Sequence, residues 1–282
     1  MKNTLFFLFF ALVLGSCHEI GPNIDFVNDI LISTDTTFMA GVPTPSPRGV
    51  LLEEFTGVRC SNCPAAHDKV AQLKTIFGDK LIPISLHTGF YAVPYPTSKQ
   101  DYKTTFAEGI EQIFGNSGYP NGLVNRQLFS GESSEILPVN KWESYVTNEL
   151  NSPTSVNIQL KKEYAPATKT LTLNASVALV QNLPQPIALS IMIVENQLKD
   201  TQLKPTGIDT SYIHQHILRT MLTPFNGTKL QATDYNAGRT FIKNLQITLP
   251  NNLKPENCEI IAFVHYIGSN KNVLQAIKTK IM

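Results

Sequence analysis

The sequence predicts an α/β unit, in which strands alternate with helices, followed by an all-β sandwich. Three observations lead there. From Gly49 to about Asn151 the apolar spacing switches repeatedly between strand and helix periods; after Pro153 the helical period fades into short alternating runs; and two cysteines, Cys60 and Cys63, stand where the first strand gives way to the first helix.

The chain begins with a different kind of segment. After Met1, Lys2 and Asn3 comes the apolar run TLFFLFFALVLG, shorter than the roughly 20 residues of a membrane span and placed like a signal-peptide core. It ends in LGSC, which resembles a bacterial lipobox. On that resemblance residues 1–16 are a lipoprotein signal peptide, and Cys17 is the anchor that carries lipid such as palmitate. The alternative is an ordinary secretory signal with an unrelated cysteine nearby. Residues 17–48 then read as a lipid-anchored stalk: a strand-like DFVNDILIS, followed by GVPTPSPRG, whose alternate prolines favour an extended spacer. No later segment is apolar enough to cross a bilayer, so the expected link to the membrane is the N-terminal lipid.

Composition narrows the function. Of 282 residues, 42% are hydrophobic and 16% charged, which fits a folded core, while a net charge of +1 offers no basic field for nucleic acid. Nucleic-acid partners are excluded on that ground. Four cysteines are too few for a disulfide-built scaffold.

Within residues 49–152 each element has a local reason. VLLEEF is a strand, and PAAHDKVAQLKTIFG a helix with Pro64 in its first turn, Ala66, Val70, Leu73 and Phe77 on one face, and Gly78 as its stop. LIPISLH reads as a buried strand. SKQDYKTTFAEGIEQIFG gives a second helix, with Ser98 as cap and Tyr102, Phe106, Ile110 and Ile113 at helical spacing. GYPNGLVNR is a turn entering a short strand, and PVNKWESYVTNEL a third helix through Val139, Trp142, Val146 and Leu150.

That order resembles the thioredoxin fold. The cysteine pair opens the first helix, where amide groups and the helix dipole stabilise a thiolate. Pro120 precedes a strand, as does the cis-proline that faces the dithiol in thioredoxin-like proteins, and Glu54 stands six residues before Cys60, like the buried acid of that family. The resemblance implies a thiol–disulfide oxidoreductase: Cys60 the exposed nucleophile, Cys63 the resolving thiol, Glu54 the proton shuttle, and Arg59 a neighbour that favours the Cys60 thiolate. The dipeptide Ser61-Asn62 departs from the common choices, so the direction of exchange is open. Two other readings stand beside this one. The pair could be an inert disulfide pinning the loop, or Cys60, Cys63 and His67 could be part of a soft-metal site, although three ligands fall short of the usual four. Pro64 directly after Cys63 rules out covalent haem attachment, and no cofactor and no metal are expected.

Between His87 and Thr97 lies the aromatic stretch TGFYAVPYP. Phe90 and Tyr91, with Tyr119 before Pro120, are candidates for a peptide-binding lip, or else they cover the second helix. Residues 153–282 supply seven strand candidates divided by Pro, Asn and Gly clusters, which suggests an immunoglobulin-like sandwich. His214 and His216 in YIHQHILR have strand spacing and are expected on one exposed polar face, and Cys258 in the core.

The lipobox, EEFTGVRCSNCP, GYPNGLVNR, HQHILR and the terminal VLQA together make the chain resemble the twenty-eight-kilodalton outer-membrane lipoprotein family of Gram-negative anaerobes. The resemblance implies an outer-membrane lipoprotein that acts either on an exported protein substrate or, as a surface-exposed adhesin, on a host-surface or matrix protein with the disulfide only structural. Which side of the membrane it faces is left open.

Overall fold

The computed structural model describes residues 33–282, so Cys17, the signal-peptide segment and most of the strand-like DFVNDILIS lie outside the described residues. The first half contains β1 (Ser33–Met39), β2 (Val50–Thr56), α1 (Cys63–Phe77), β3 (Leu81–His87), α2 (Thr105–Phe114), β4 (Asn121–Val124), β5 (Ile136–Pro138) and α3 (Trp142–Leu150). The second half is all strand: β6 (Val156–Ala165), β7 (Thr170–Leu179), β8 (Ile187–Glu195), β9 (Leu198–Lys204), β10 (Gly207–His214), β11 (Ile217–Met221), β12 (Thr228–Lys229), β13 (Arg239–Thr248), β14 (Cys258–Tyr266) and β15 (Val273–Lys280). The result is a mixed α/β layer joined to a β-sandwich.

Alternation along β2 sets the α/β layering. Val50 and Leu52 pack with Ala66, Val70 and Leu73 of α1 and with Trp142 and Val146 of α3. Leu51 and Phe55 point the other way, toward Ala107 and Ile110 of α2. All seven residues of β3 are buried, as expected of a strand covered on both faces. Pro64 lies in the first turn of α1, and Gly78 closes the helix with φ near +58°, a conformation that glycine takes without steric cost. A second glycine, Gly122 of β4, is required by contact: a Cβ there would meet the Trp142 ring at 2.9 Å and the Glu53 carbonyl at 2.8 Å.

The sandwich shares a sheet with the α/β unit. One sheet has the order β1-β13-β7-β6; the other runs β15-β14-β8-β11-β3-β2-β4-β5, with β12 paired to β8. Residues before and after 153 thus build one continuous sheet, joined where Ile217 of β11 lies parallel to Ser85 of β3 and the Ser85 amide donates to the His216 carbonyl at 2.8 Å. The reason lies in β8 and β14, which are apolar on both faces. Ile191, Ile193, Ile260 and Ala262 face the four-stranded sheet, whereas Met192, Val194, Ile261 and Phe263 face the cluster under α2. Cys258 is buried in the sandwich core, and burial pushes its thiol up to about 12.

Three local expectations are corrected. The stalk reading fails over residues 33–48: β1 pairs with β13, and the proline stretch is pinned where Asn157 accepts from the Ser46 amide and donates to the Thr44 carbonyl. The second helix begins at Thr105, capped by Thr104, whose hydroxyl accepts from the Ala107 amide at 3.0 Å; Ser98 is not its cap. Residues 98–103 are drawn away from helix because Asp200 of β9 accepts the Lys99 and Gln100 amides and the Tyr102 hydroxyl. The third helix is preceded by a short 3-10 turn over Val139–Lys141.

Candidate functional site

The site is built on the end of β2. Because alternate residues share a face, Glu54 and Thr56 point with Leu52 toward α1, and the chain then turns through Gly57 to the cysteines. Gly57 admits no side chain: a Cβ would lie 2.3 Å from the Tyr91 carbonyl, so residues 88–95 sit directly on this turn. The Arg59 amide donates to that same Tyr91 carbonyl at 2.8 Å.

Cys60 and Cys63 form a disulfide at the entry to α1. Cys60 was expected to be exposed; it is only 3% exposed, and Cys63 is fully buried. The covering element is the β9–β10 hairpin. The Leu203 amide donates to the Val58 carbonyl at 2.7 Å, and the Gln202 side-chain amide donates to the carbonyls of Cys60 at 3.0 Å and Gly57 at 3.3 Å. Beneath the hairpin, Val58, Tyr102, Leu198 and Ile217 form a small apolar cluster.

Behind the disulfide lies a chain of polar side chains. Glu54 is buried, its Oε1 has no hydrogen-bond partner, and burial raises its carboxyl well above the usual range. His67 lies one turn beyond Cys63 on α1; its Nε2 is 3.0 Å from the Thr56 hydroxyl and 3.4 Å from Glu54 Oε1, and its Nδ1 is 2.7 Å from the Tyr212 hydroxyl. Both ring nitrogens of His67 are therefore engaged by hydroxyl groups. Burial, and after it the neighbouring His214 and His216, lower its pKa to about 3, so it is neutral at physiological pH.

The other expected site residues are distributed as follows. Arg59 donates to the carbonyls of Val93 at 2.6 Å and Pro94 at 2.7 Å and lies over the Tyr95 ring, so its charge is engaged by the neighbouring loop. Phe90 is 74% exposed and Tyr91 41%, with their rings in edge contact. Tyr91 also packs on Tyr119, whose hydroxyl bonds with Thr88 and Glu111. Pro120 follows Tyr119 through a cis peptide and leads into β4, which is antiparallel to β2.

His214 and His216 do not share an exposed face. His214 ends β10 and is buried against His87, Tyr102 and Tyr212, while His216, with φ near +57°, turns the chain into β11. The strand breaks between them, which cancels the alternation. Burial lowers both imidazoles to about 4.

Gln202, Asp200 and Tyr212, all on the hairpin, escaped the sequence reading. VENQLKDTQLKPTG is polar and falls between two strand candidates, IALSIMIVE and HQHILRTML. The available signal was the Pro-Thr turn followed by Gly207, with Leu198, Asp200 and Gln202 alternating before it.

Comparisons with known proteins follow the same outline. A family model described as outer membrane protein Omp28 matches residues 107–282. Among solved structures, HBP35 of Porphyromonas gingivalis is 19% identical with a TM-score of 0.67, over 84% of this chain and 76% of that one. A structural-genomics protein from Agrobacterium tumefaciens is 10% identical with a TM-score of 0.51, over 85% and 97% respectively. At such identities the likeness is one of fold. No curated protein matches the chain in sequence.

Proposed function

Because the chain belongs to the Omp28 outer membrane protein family, we propose that it is a lipid-anchored outer-membrane protein whose residues 49–152 act as a thioredoxin-like module exchanging thiols and disulfides with exported proteins. The carrying observation is the Cys60–Cys63 disulfide at the start of α1, with Glu54 buried on the face of β2 that α1 covers. A thiolate at Cys60 gains from the helix amides, and Cys63, one turn away, is close enough to resolve a mixed disulfide. In this reading Glu54 takes the proton of Cys63, Pro120 and Tyr119 border the substrate groove, Phe90 and Tyr91 form its aromatic lip, and Arg59 holds that lip on the cysteine loop. Cys17 is the proposed anchor. Among the described residues no helix is long and apolar enough to cross a membrane.

One observation favours a second reading. Cys60 lies under the β9–β10 hairpin, as a structural disulfide would, and function would then move to exposed binding surfaces of an adhesin type.

The reduction potential of the pair separates the two. Equilibration of the protein with glutathione buffers, followed by thiol trapping, gives a midpoint between about −120 and −270 mV for an exchange catalyst and below about −300 mV for a structural staple. Cell fractionation of a Cys17→Ser variant tests the anchor, with loss from the membrane fraction as the expected outcome.

A further inference from the structure

We propose that His67 and Tyr212 are positioning residues that connect Glu54 to solvent, so that the proton taken from Cys63 leaves through a side-chain relay. The inference rests on the exchange reading of Cys60 and Cys63 and adds to it a proton path that crosses from α1 to the β9–β10 hairpin.

Three features of the molecule point to such a path. Glu54 is 2% exposed, and its Oε1 is buried without a hydrogen-bond partner, so a proton on that oxygen has no direct way to water. The nearest basic atom to that oxygen is His67 Nε2 at 3.4 Å, on the same helical face as Cys63. On the other side of the imidazole, Nδ1 meets the Tyr212 hydroxyl at 2.7 Å, and Tyr212 is only partly buried. The imidazole is bonded at Nδ1 to Tyr212 and at Nε2 to the Thr56 hydroxyl at 3.0 Å, with Glu54 Oε1 just beyond, and such a ring can accept a proton at one nitrogen and release it at the other. The Tyr212 hydroxyl both donates and accepts, and therefore passes the proton on without ionising.

The chemistry balances with a substrate disulfide as the oxidant. The Cys60 thiolate attacks one sulfur of the substrate, forming a mixed disulfide and releasing the first substrate thiolate. Cys63 then loses its proton to Glu54 and attacks Cys60, which forms the Cys60–Cys63 bond and releases the second thiolate. Both substrate sulfurs end as thiols, protonated from solvent. Glu54 passes that proton on as it arrives, through the His67–Tyr212 pair, so that attack by Cys63 and release of its proton to solvent proceed together.

The groups acting on His67 are Glu54 from β2, His87 at the end of β3, Tyr212 and His214 from β10, and His216 just beyond it. Asp68 acts on Tyr212 from α1. Neutral His87, His214 and His216 supply no counter-charge. Among the described residues Glu54 is the one carboxylate within ion-pair distance of the ring.

The test is single-turnover oxidation of the reduced full-length protein by glutathione disulfide, with acid quenching and mass spectrometry to follow the mixed disulfide on Cys60. His67→Gln retains hydrogen bonding but cannot carry a proton. It is expected to slow resolution by about tenfold or more near pH 6 to 7, since positioned acid–base groups contribute about 10²–10⁴-fold, and to approach the wild-type rate near pH 9. Tyr212→Phe is expected to shift the profile the same way, and Glu54→Gln/His67→Gln to be no slower than Glu54→Gln, as for groups in series. Equal slowing at every pH would mean that His67 only supports the fold, and an unchanged profile would remove the relay while leaving the exchange reading intact. A wild-type protein that forms no mixed disulfide would overturn both.

Discussion

The side-chain amide of Gln202 donates to the main-chain carbonyl of Cys60 at 3.0 Å, which ties a hairpin from the second half of the chain to the disulfide of the first. Together with the bond from the Leu203 amide to Val58, it closes the route by which any partner would approach Cys60. Gln202→Ala removes the side-chain bonds and leaves the backbone pairing. A hydrogen bond is worth about 1 kcal/mol net, so local opening of the hairpin should become roughly five- to tenfold more frequent. Reduction of the disulfide by a water-soluble phosphine, followed by alkylation, is the readout: the variant should be reduced several-fold faster at equal global stability. Equal rates would show that the hairpin does not control access.

The α/β half was the more legible part of the chain, because its signals are local. Pro64, Gly78 and the apolar stripe of α1 define that helix without reference to anything distant. The errors arose where long-range contacts decided the outcome. Asp200, about a hundred residues away, holds residues 98–103 out of the second helix, and Asn157 pins the proline stretch. The same holds for the site: Cys60, Cys63 and Glu54 announced themselves through spacing, whereas Gln202 and Tyr212 reach it only through sheet topology. The burial of Cys60 could not be read from its own neighbours, since its cover is made by β9.

Trp142 should be the costliest single truncation in the α/β layer. It is fully buried, its indole N–H donates to the Leu137 carbonyl at 3.1 Å, and its ring rests on the flat surface offered by Gly122. Trp142→Ala leaves a large cavity and should lose about 3–5 kcal/mol in denaturant unfolding. Gly122→Ala should lose about 1–3 kcal/mol, because ring and strand must both shift. A loss below 1 kcal/mol for Trp142→Ala would mean that the layer collapses to fill the space.

Glu53 and Arg126 form a buried, two-pronged ion pair, with bonds of 2.7 and 2.6 Å and both side chains at 1% exposure or less. Arg126 also stacks over Phe263 from β14, so the pair links β2 to the sandwich side of the sheet. Removing one partner strands a buried charge. Glu53→Gln should therefore lose about 3–5 kcal/mol, whereas Glu53→Leu/Arg126→Met should recover much of that loss. If the double variant is as unstable as the sum of the singles, the two charges are not coupled and each is held by other neighbours.

Acid should destabilise the protein once pH falls below the ordinary histidine range. The five histidines of the described residues, His67, His87, His214, His216 and His265, are all held below the ordinary histidine range, mainly by burial. An imidazole that resists protonation in the native state binds protons more readily when unfolded. Its contribution is complete above the unfolded value of 6.5 and is lost as pH falls toward its native value, which is about 3 for His67 and about 4 for His214 and His216. Between pH 7 and 5 each such group can remove at most about 2 kcal/mol. Glu54 and Glu195, whose carboxyls burial raises, act in the opposite sense, since the native state takes up their protons first. The histidines outnumber them, so urea midpoints should fall from pH 7 to pH 5. His216→Asn isolates one contributor, because asparagine tolerates the left-handed backbone found there and does not titrate. That variant should lose less stability than the wild type over the same interval; an identical loss would show that His216 takes up its proton equally in both states.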